Sequence, residues 1–122
     1  MSGSIGGDLL QAAFQVFKSF KTGGKKVEQA QLANIVGVYE QYGSVDMVKL
    51  YVIRQVGRGK ISREAAKTLI EKLERGYSDR LIELIGLVRW FYDAVKDRKI
   101  DLTQVNTYEE FVSKFVKGSG VP

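Results

Sequence analysis

The chain has 122 residues, 44% of them hydrophobic, and a formal net charge of +5. That is enough for one domain with a sizeable core, and it excludes wholesale disorder and any span near the roughly 20 apolar residues a membrane helix needs. Cysteine and histidine are both absent, which removes disulfides, thiolate zinc sites, the imidazole base and the usual activator of a serine nucleophile. The acidic residues show no pairing, so the expectation is a protein that binds rather than one that catalyses, without cofactor or metal, in a reducing cytoplasm.

Residues 1–7 (Met-Ser-Gly-Ser-Ile-Gly-Gly) lack the charged and apolar regions of a signal peptide and read as a flexible arm. Residues 8–117 are expected to form a single helical domain, and residues 118–122 a tail. Asp8 is placed to cap a first helix to about residue 21, with Leu10, Ala13, Phe14, Phe17 and Phe20 as its apolar side. The segment Thr22-Gly-Gly-Lys25 stops it. A second helix is predicted over residues 27–42, with Leu32, Ile35, Val36 and Tyr39 as its stripe and Gly43 as its end.

Ser44 then caps a third helix to about Gly57. The β-branched and aromatic content of Tyr51, Val52, Ile53 and Val56 makes a strand the competing prediction. The spacing of Val45, Val48, Val52 and Val56 favours a helix. Gly57 and Gly59 turn the chain, and Ser62 caps a fourth helix ending near Gly76. Ser78 is placed to cap a long fifth helix to about residue 96, with Leu81, Leu84, Ile85, Val88, Phe91, Tyr92 and Val95 on its apolar side. After a polar connection holding Ile100 and Leu102, Thr107-Tyr-Glu-Glu110 is a capping box opening a last helix with Phe111, Val112 and Phe115. The only proline is Pro122, so nothing interrupts these helices. The fold class is all-α, a bundle of five to six helices with short connections.

The charge is unevenly placed. Eight basic residues fall between Lys49 and Arg75 (Lys49, Arg54, Arg58, Lys60, Arg63, Lys67, Lys72, Arg75) against Glu64, Glu71 and Glu74. Their local excess equals that of the whole chain, so the remainder is balanced. Such a concentration points to an anionic partner such as a nucleic-acid backbone, and a solvated helix surface is the competing reading. Arg54 and Arg58 share an edge of helix three, and Lys49 lies well round from them. The turn after Gly57 brings Arg58, Lys60 and Arg63 together, with Lys67 one turn along helix four. Arginine suits phosphate because its planar fork binds two oxygens, and the helix-four N-terminus adds N–H donors. Gly57-Arg-Gly-Lys60 lacks the spacing and the following Ser or Thr of a P-loop.

Trp90 is the second anomaly. It sits opposite the apolar side of helix five, above Gly86, where it fits a protein contact or a platform for a base. Burial under another helix of the same bundle is the alternative.

Four segments together resemble the small α-helical subunit of type III-A CRISPR effector (Csm) complexes. They are Gln29-Ala-Gln-Leu-Ala-Asn-Ile35, Lys49-Leu-Tyr-Val-Ile-Arg-Gln-Val-Gly-Arg58, Leu69-Ile-Glu-Lys72 and Leu84-Ile-Gly-Leu-Val-Arg-Trp-Phe-Tyr92, within residues 27 to 97. The resemblance implies a non-catalytic subunit that stacks in several copies and lines the groove holding the guide–target RNA. Its expected partners are crRNA and target RNA, the other effector subunits and further copies of itself, with no membrane. Lys49 and Arg58 fall on that family's basic positions. Arg54, Lys60, Arg63 and Lys67 join them from the charge pattern as sequence-independent phosphate contacts. Two other readings stand beside it: a small viral or plasmid DNA-binding protein using helices three and four as a helix-turn-helix, and a helical adaptor whose interface is Gly86 and Trp90.

Overall fold

The computed structural model describes residues 2–24, 26–96 and 100–120. It is an all-α bundle: α1 (Ser2–Thr22), α2 (Ala30–Tyr42), α3 (Val45–Gly57), α4 (Arg63–Lys72), α5 (Leu81–Ala94) and α6 (Tyr108–Gly120), with no strand among the described residues. No helix among them is long and apolar enough to cross a membrane.

Helix α1 is the axis of the bundle. Ala12, Ala13, Phe14, Val16, Phe17 and Phe20 are all buried, so more of its circumference is covered than a single stripe would need. It packs on α5 and α4 and touches α6. The ring of Phe17 stacks on Phe91 at 5.2 Å, and Phe111 closes edge-on against both. From the connection before α6, Leu102 and Val105 also enter the core. The predicted apolar side of α5 is buried in full, from Leu81 to Val95.

Several helix ends follow local chemistry. Ser44 accepts a hydrogen bond from the Met47 N–H at 3.2 Å, and Ser62 accepts one from Ala65 at 3.1 Å. Gly43 ends α2 at φ 62°, and its N–H reaches the Tyr39 carbonyl at 2.7 Å. The capping box forms in both directions: Glu110 N–H donates to the Thr107 hydroxyl, and Thr107 N–H donates to the Glu110 carboxylate, each at 3.1 Å. Helix three is a helix, with Val48 and Val52 fully buried.

Other ends correct the sequence expectation. Helix α1 begins at Ser2 rather than behind an Asp8 cap, so residues 2–7 are helical rather than an arm, despite the weak helix propensity of three glycines. Helix α2 begins at Ala30: Val27 is buried ahead of it, outside the helix, and its N–H donates to the Phe20 carbonyl at 2.9 Å. Beyond α4 the backbone stays helical past Leu73 and kinks at Arg75 and Gly76, the latter at φ 117°, so the break falls where the sequence placed the end of helix four. Ser78 caps nothing, because Ser78–Arg80 is a tight 3-10 turn and α5 starts at Leu81. At the other end, α6 runs to Gly120 through most of the expected tail, and residues 121–122 lie outside the described residues.

The α1 terminus is seated on the start of α4. A Cβ built on Gly23 would lie 2.6 Å from the Ser19 carbonyl oxygen and 3.1 Å from Glu64 Cβ. Both neighbours belong to helical turns that cannot yield cheaply, so Gly23→Ala should lower stability by about 1–3 kcal/mol, measured as a reduced urea midpoint.

Tyr92 is tied to the same region. Its buried hydroxyl donates to the Val27 carbonyl at 2.7 Å, and the Lys21 ammonium lies 4.9 Å from its ring centroid. Burial pushes the phenol well above its usual range. The folded state therefore holds this proton more tightly than the unfolded chain, and the associated stability is complete below about pH 10 and lost as pH rises beyond it. The urea midpoint should fall above pH 10, and less steeply in Tyr92→Phe.

Candidate nucleic-acid interface

The α3–α4 junction is built from one buried residue outward. Gln55, 3% exposed, ends the inward side of α3. Its carbonyl accepts the N–H of Lys60 at 2.8 Å and of Ile61 at 3.3 Å, while Gly59 donates to Val56 at 3.0 Å. With Gly59 at φ 74°, this is a Schellman cap whose left-handed position calls for glycine. Gly57 is the last helical residue and has open space where a side chain would be. Ile61 then buries its side chain, and Ser62 starts α4. The turn is thus pinned at both ends, and Arg58, Gly59 and Lys60 between the pins are exposed.

Arg54, Arg58, Lys60, Arg63 and Lys67 are all exposed, and among the described residues none lies within ion-pair distance of a carboxylate. Lys49 is set apart. Its amine lies 3.3 Å from Glu74 and 3.8 Å from Asp46, on the side of α3 that faces the end of α4. It neutralises charge within the bundle, and the row of open cations begins at Arg54. At the start of α4 the Ser62 hydroxyl already takes the Ala65 N–H, so the side chains, more than the helix terminus, supply the donors here.

A larger polar cleft of about 510 Å³ lies between α1 and α4. Its cations are tied to neighbours: Lys18 donates to Asn106 at 3.1 Å, Lys72 donates to Gln15, and Glu64 and Glu71 share its walls with Arg75. Its three cations exceed its two carboxylates by one, a smaller surplus than that of the basic turn.

Trp90 is 73% exposed, so among the described residues no helix of the bundle covers it. Gly86 and the 42%-exposed Ile82 precede it at helical spacing on the same face, and nothing lies within 4 Å of a Cβ built on Gly86. Tyr42 and Leu50, at 54% and 60% exposure, are apolar surface: the aromatics of helix two are expected in the core from their spacing, and Tyr42 lies outside it, while Leu50 carries no assignment from the sequence. The available signal was the three- and four-residue spacing that puts Met47, Leu50, Tyr51, Arg54 and Arg58 on one side of α3.

No known protein family, characterised protein or solved structure matches this chain.

The polar core under the turn is unequal in its hydrogen bonding. Gln31 Oε1 accepts from Gln55 Nε2 at 3.0 Å and from the Tyr51 hydroxyl at 3.2 Å, whereas Gln55 Oε1 has no partner among the described residues. Removing an orphaned acceptor is cheap, and creating orphaned donors is not. Gln55→Met should stay within about 1 kcal/mol of wild type, and Gln31→Met should cost on the order of 2 kcal/mol, as read by chemical denaturation.

Proposed function

We propose that this protein is a non-catalytic RNA-binding subunit of a type III-A CRISPR effector, working in several copies and gripping guide and target RNA by their backbones. The observation that carries the reading is the run of exposed, uncompensated cations from Arg54 through Arg58, Lys60 and Arg63 to Lys67, mounted on a turn fixed by Gln55 and Ile61. Rigid display matters because less side-chain and backbone freedom is lost when the partner binds. Guanidinium and ammonium groups without a base-reading pattern bind phosphates irrespective of sequence. The resemblance of residues 27 to 97 to the Csm small subunit supplies the assembly, and the exposed Ile82–Gly86–Trp90 face supports a contact between subunits.

A helix-turn-helix reader of duplex DNA would use the same two helices. Here α4 exposes Arg63, Glu64 and Lys67, a mixed-sign surface poorly suited to base edges in a major groove.

Fluorescence anisotropy with single-stranded RNA, duplex RNA and duplex DNA at several salt concentrations tests the proposal. Wild type should bind RNA with a steep inverse salt dependence. The triple variant Arg58→Ala/Lys60→Ala/Arg63→Ala should weaken binding and flatten the single-strand log–log slope by about 2, three contacts at roughly 0.7 each. Sequence-selective binding to duplex DNA would transfer the assignment to the helix-turn-helix reading.

A further inference from the structure

The row of cations begins, at Arg54, beside a surface of different character. The same residue forms one wall of an apolar groove of about 260 Å³ between the end of α2 and the start of α3. Val38, Gln41 and Tyr42 line it from α2, and Met47, Leu50 and Tyr51 from α3. Along α3 the surface therefore changes character within one stripe: Met47, Leu50 and Tyr51 are apolar, and Arg54 and Arg58 are basic.

We propose that this groove is a nucleobase subsite, taking one unpaired base of the RNA strand whose phosphates lie along Arg54, Arg58 and Lys60. The inference rests on the function proposed above and assigns to it a preference that phosphate contacts alone lack.

Size, chemistry and charge each favour this occupant. The groove far exceeds the roughly 30 Å³ of a water, yet falls just below the ~300 Å³ at which ordinary small-molecule pockets begin, which is a space for a flat ring. Its walls carry two aromatic rings, and the Tyr51 ring is held because its hydroxyl donates to Gln31 at 3.2 Å. Tyr42, 54% exposed, offers its ring for stacking. Of its polar lining, the Gln41 amide can both donate and accept, and the Arg54 guanidinium can donate to a base edge or stack on its face. No carboxylate lines the groove, and its charged member is the first of a cationic row. A strand following that row thus arrives with its bases beside the groove. An apolar helix of a protein partner would cover the Arg54 charge without pairing it.

Paired bases present only edges, so the subsite should register single strands and ignore duplexes. The probes are a fluorescein-labelled 12-nucleotide RNA of mixed sequence, the same strand with its central residues abasic, and the same strand annealed to its complement. Wild type should bind the base-bearing strand on the order of tenfold more tightly than the abasic one. Tyr42→Ala/Leu50→Ala should erase that difference and leave duplex binding unchanged. Both positions are more than half exposed, and an unaltered thermal melt confirms that the variant folds.

The outcomes separate. If the Arg58→Ala/Lys60→Ala/Arg63→Ala protein loses affinity while abasic and intact strands bind wild type equally, the subsite is overturned and the phosphate interface stands. Loss of self-association by the Tyr42/Leu50 variant, with RNA binding intact, would make the groove a protein seam and overturn the subsite too. Wild type that binds no RNA at all would overturn both.

Discussion

The stack of Phe17 on Phe91 is the contact on which the rest of the molecule depends. Phe14 meets Phe91 edge-on at 5.7 Å, Phe111 packs against all three rings, and Tyr92 and Tyr108 extend the cluster. Offset and edge-to-face pairs of this kind contribute roughly 0.5–1.5 kcal/mol each beyond simple burial. They also fix orientation, which plain aliphatic packing does less well. Once α1, α5 and α6 are set by these rings, the opposite side of α1 receives α4, and the Gly23–Ser62 approach sets where α4 begins. The position of the basic turn follows from that seat.

The bundle divides into a dry aromatic half and a half that carries polar groups inside. Helices α2 and α3 pair chiefly with each other and meet the core through Leu32, Ile35, Val48 and Val52. Beneath their outer surface lie Gln31 and Gln55, the two polar residues buried among the described ones. The amide that bonds Gln31 belongs to the residue whose carbonyl ties down Lys60 and Ile61. The shape of the cationic turn is thus coupled to a hydrogen bond inside the bundle rather than left to a free loop.

Much of this was legible in the sequence, where one local interaction dominated. The Ser44 and Ser62 caps, the Gly43 stop, the Thr107–Glu110 box and the inward face of α5 all depend on a few neighbouring residues. Failures came where distant packing decided. Val27 looks helical in a window of its neighbours and is instead a buried plug outside the helix, its N–H bonded to Phe20 of α1 and its carbonyl taken by Tyr92 of α5. Ser78 has the right chemistry for a cap, but the kink at Gly76 presents it to a tight turn. Among the charges, helical geometry separated Lys49 from Arg54, but only the fold brought Glu74 to it. The exposure of Trp90 needed the whole bundle, since no local pattern tells which helix faces a neighbour covers.

The Phe17–Phe91 contact also shapes how the chain reaches this state. It closes a loop of about seventy residues, whereas the α2–α3 hairpin closes through the few residues around Gly43. Loop-closure entropy grows only slowly with length, but it must be met before distant contacts return anything. The hairpin that carries the groove and the first cations is therefore local structure, able to form ahead of the aromatic cluster. The turn itself is closed by the Gln55 carbonyl, while α4 beyond it packs on α1. The groove and the first cations therefore rest on local structure, whereas Arg63 and Lys67 are held by a helix whose seat is the distant α1.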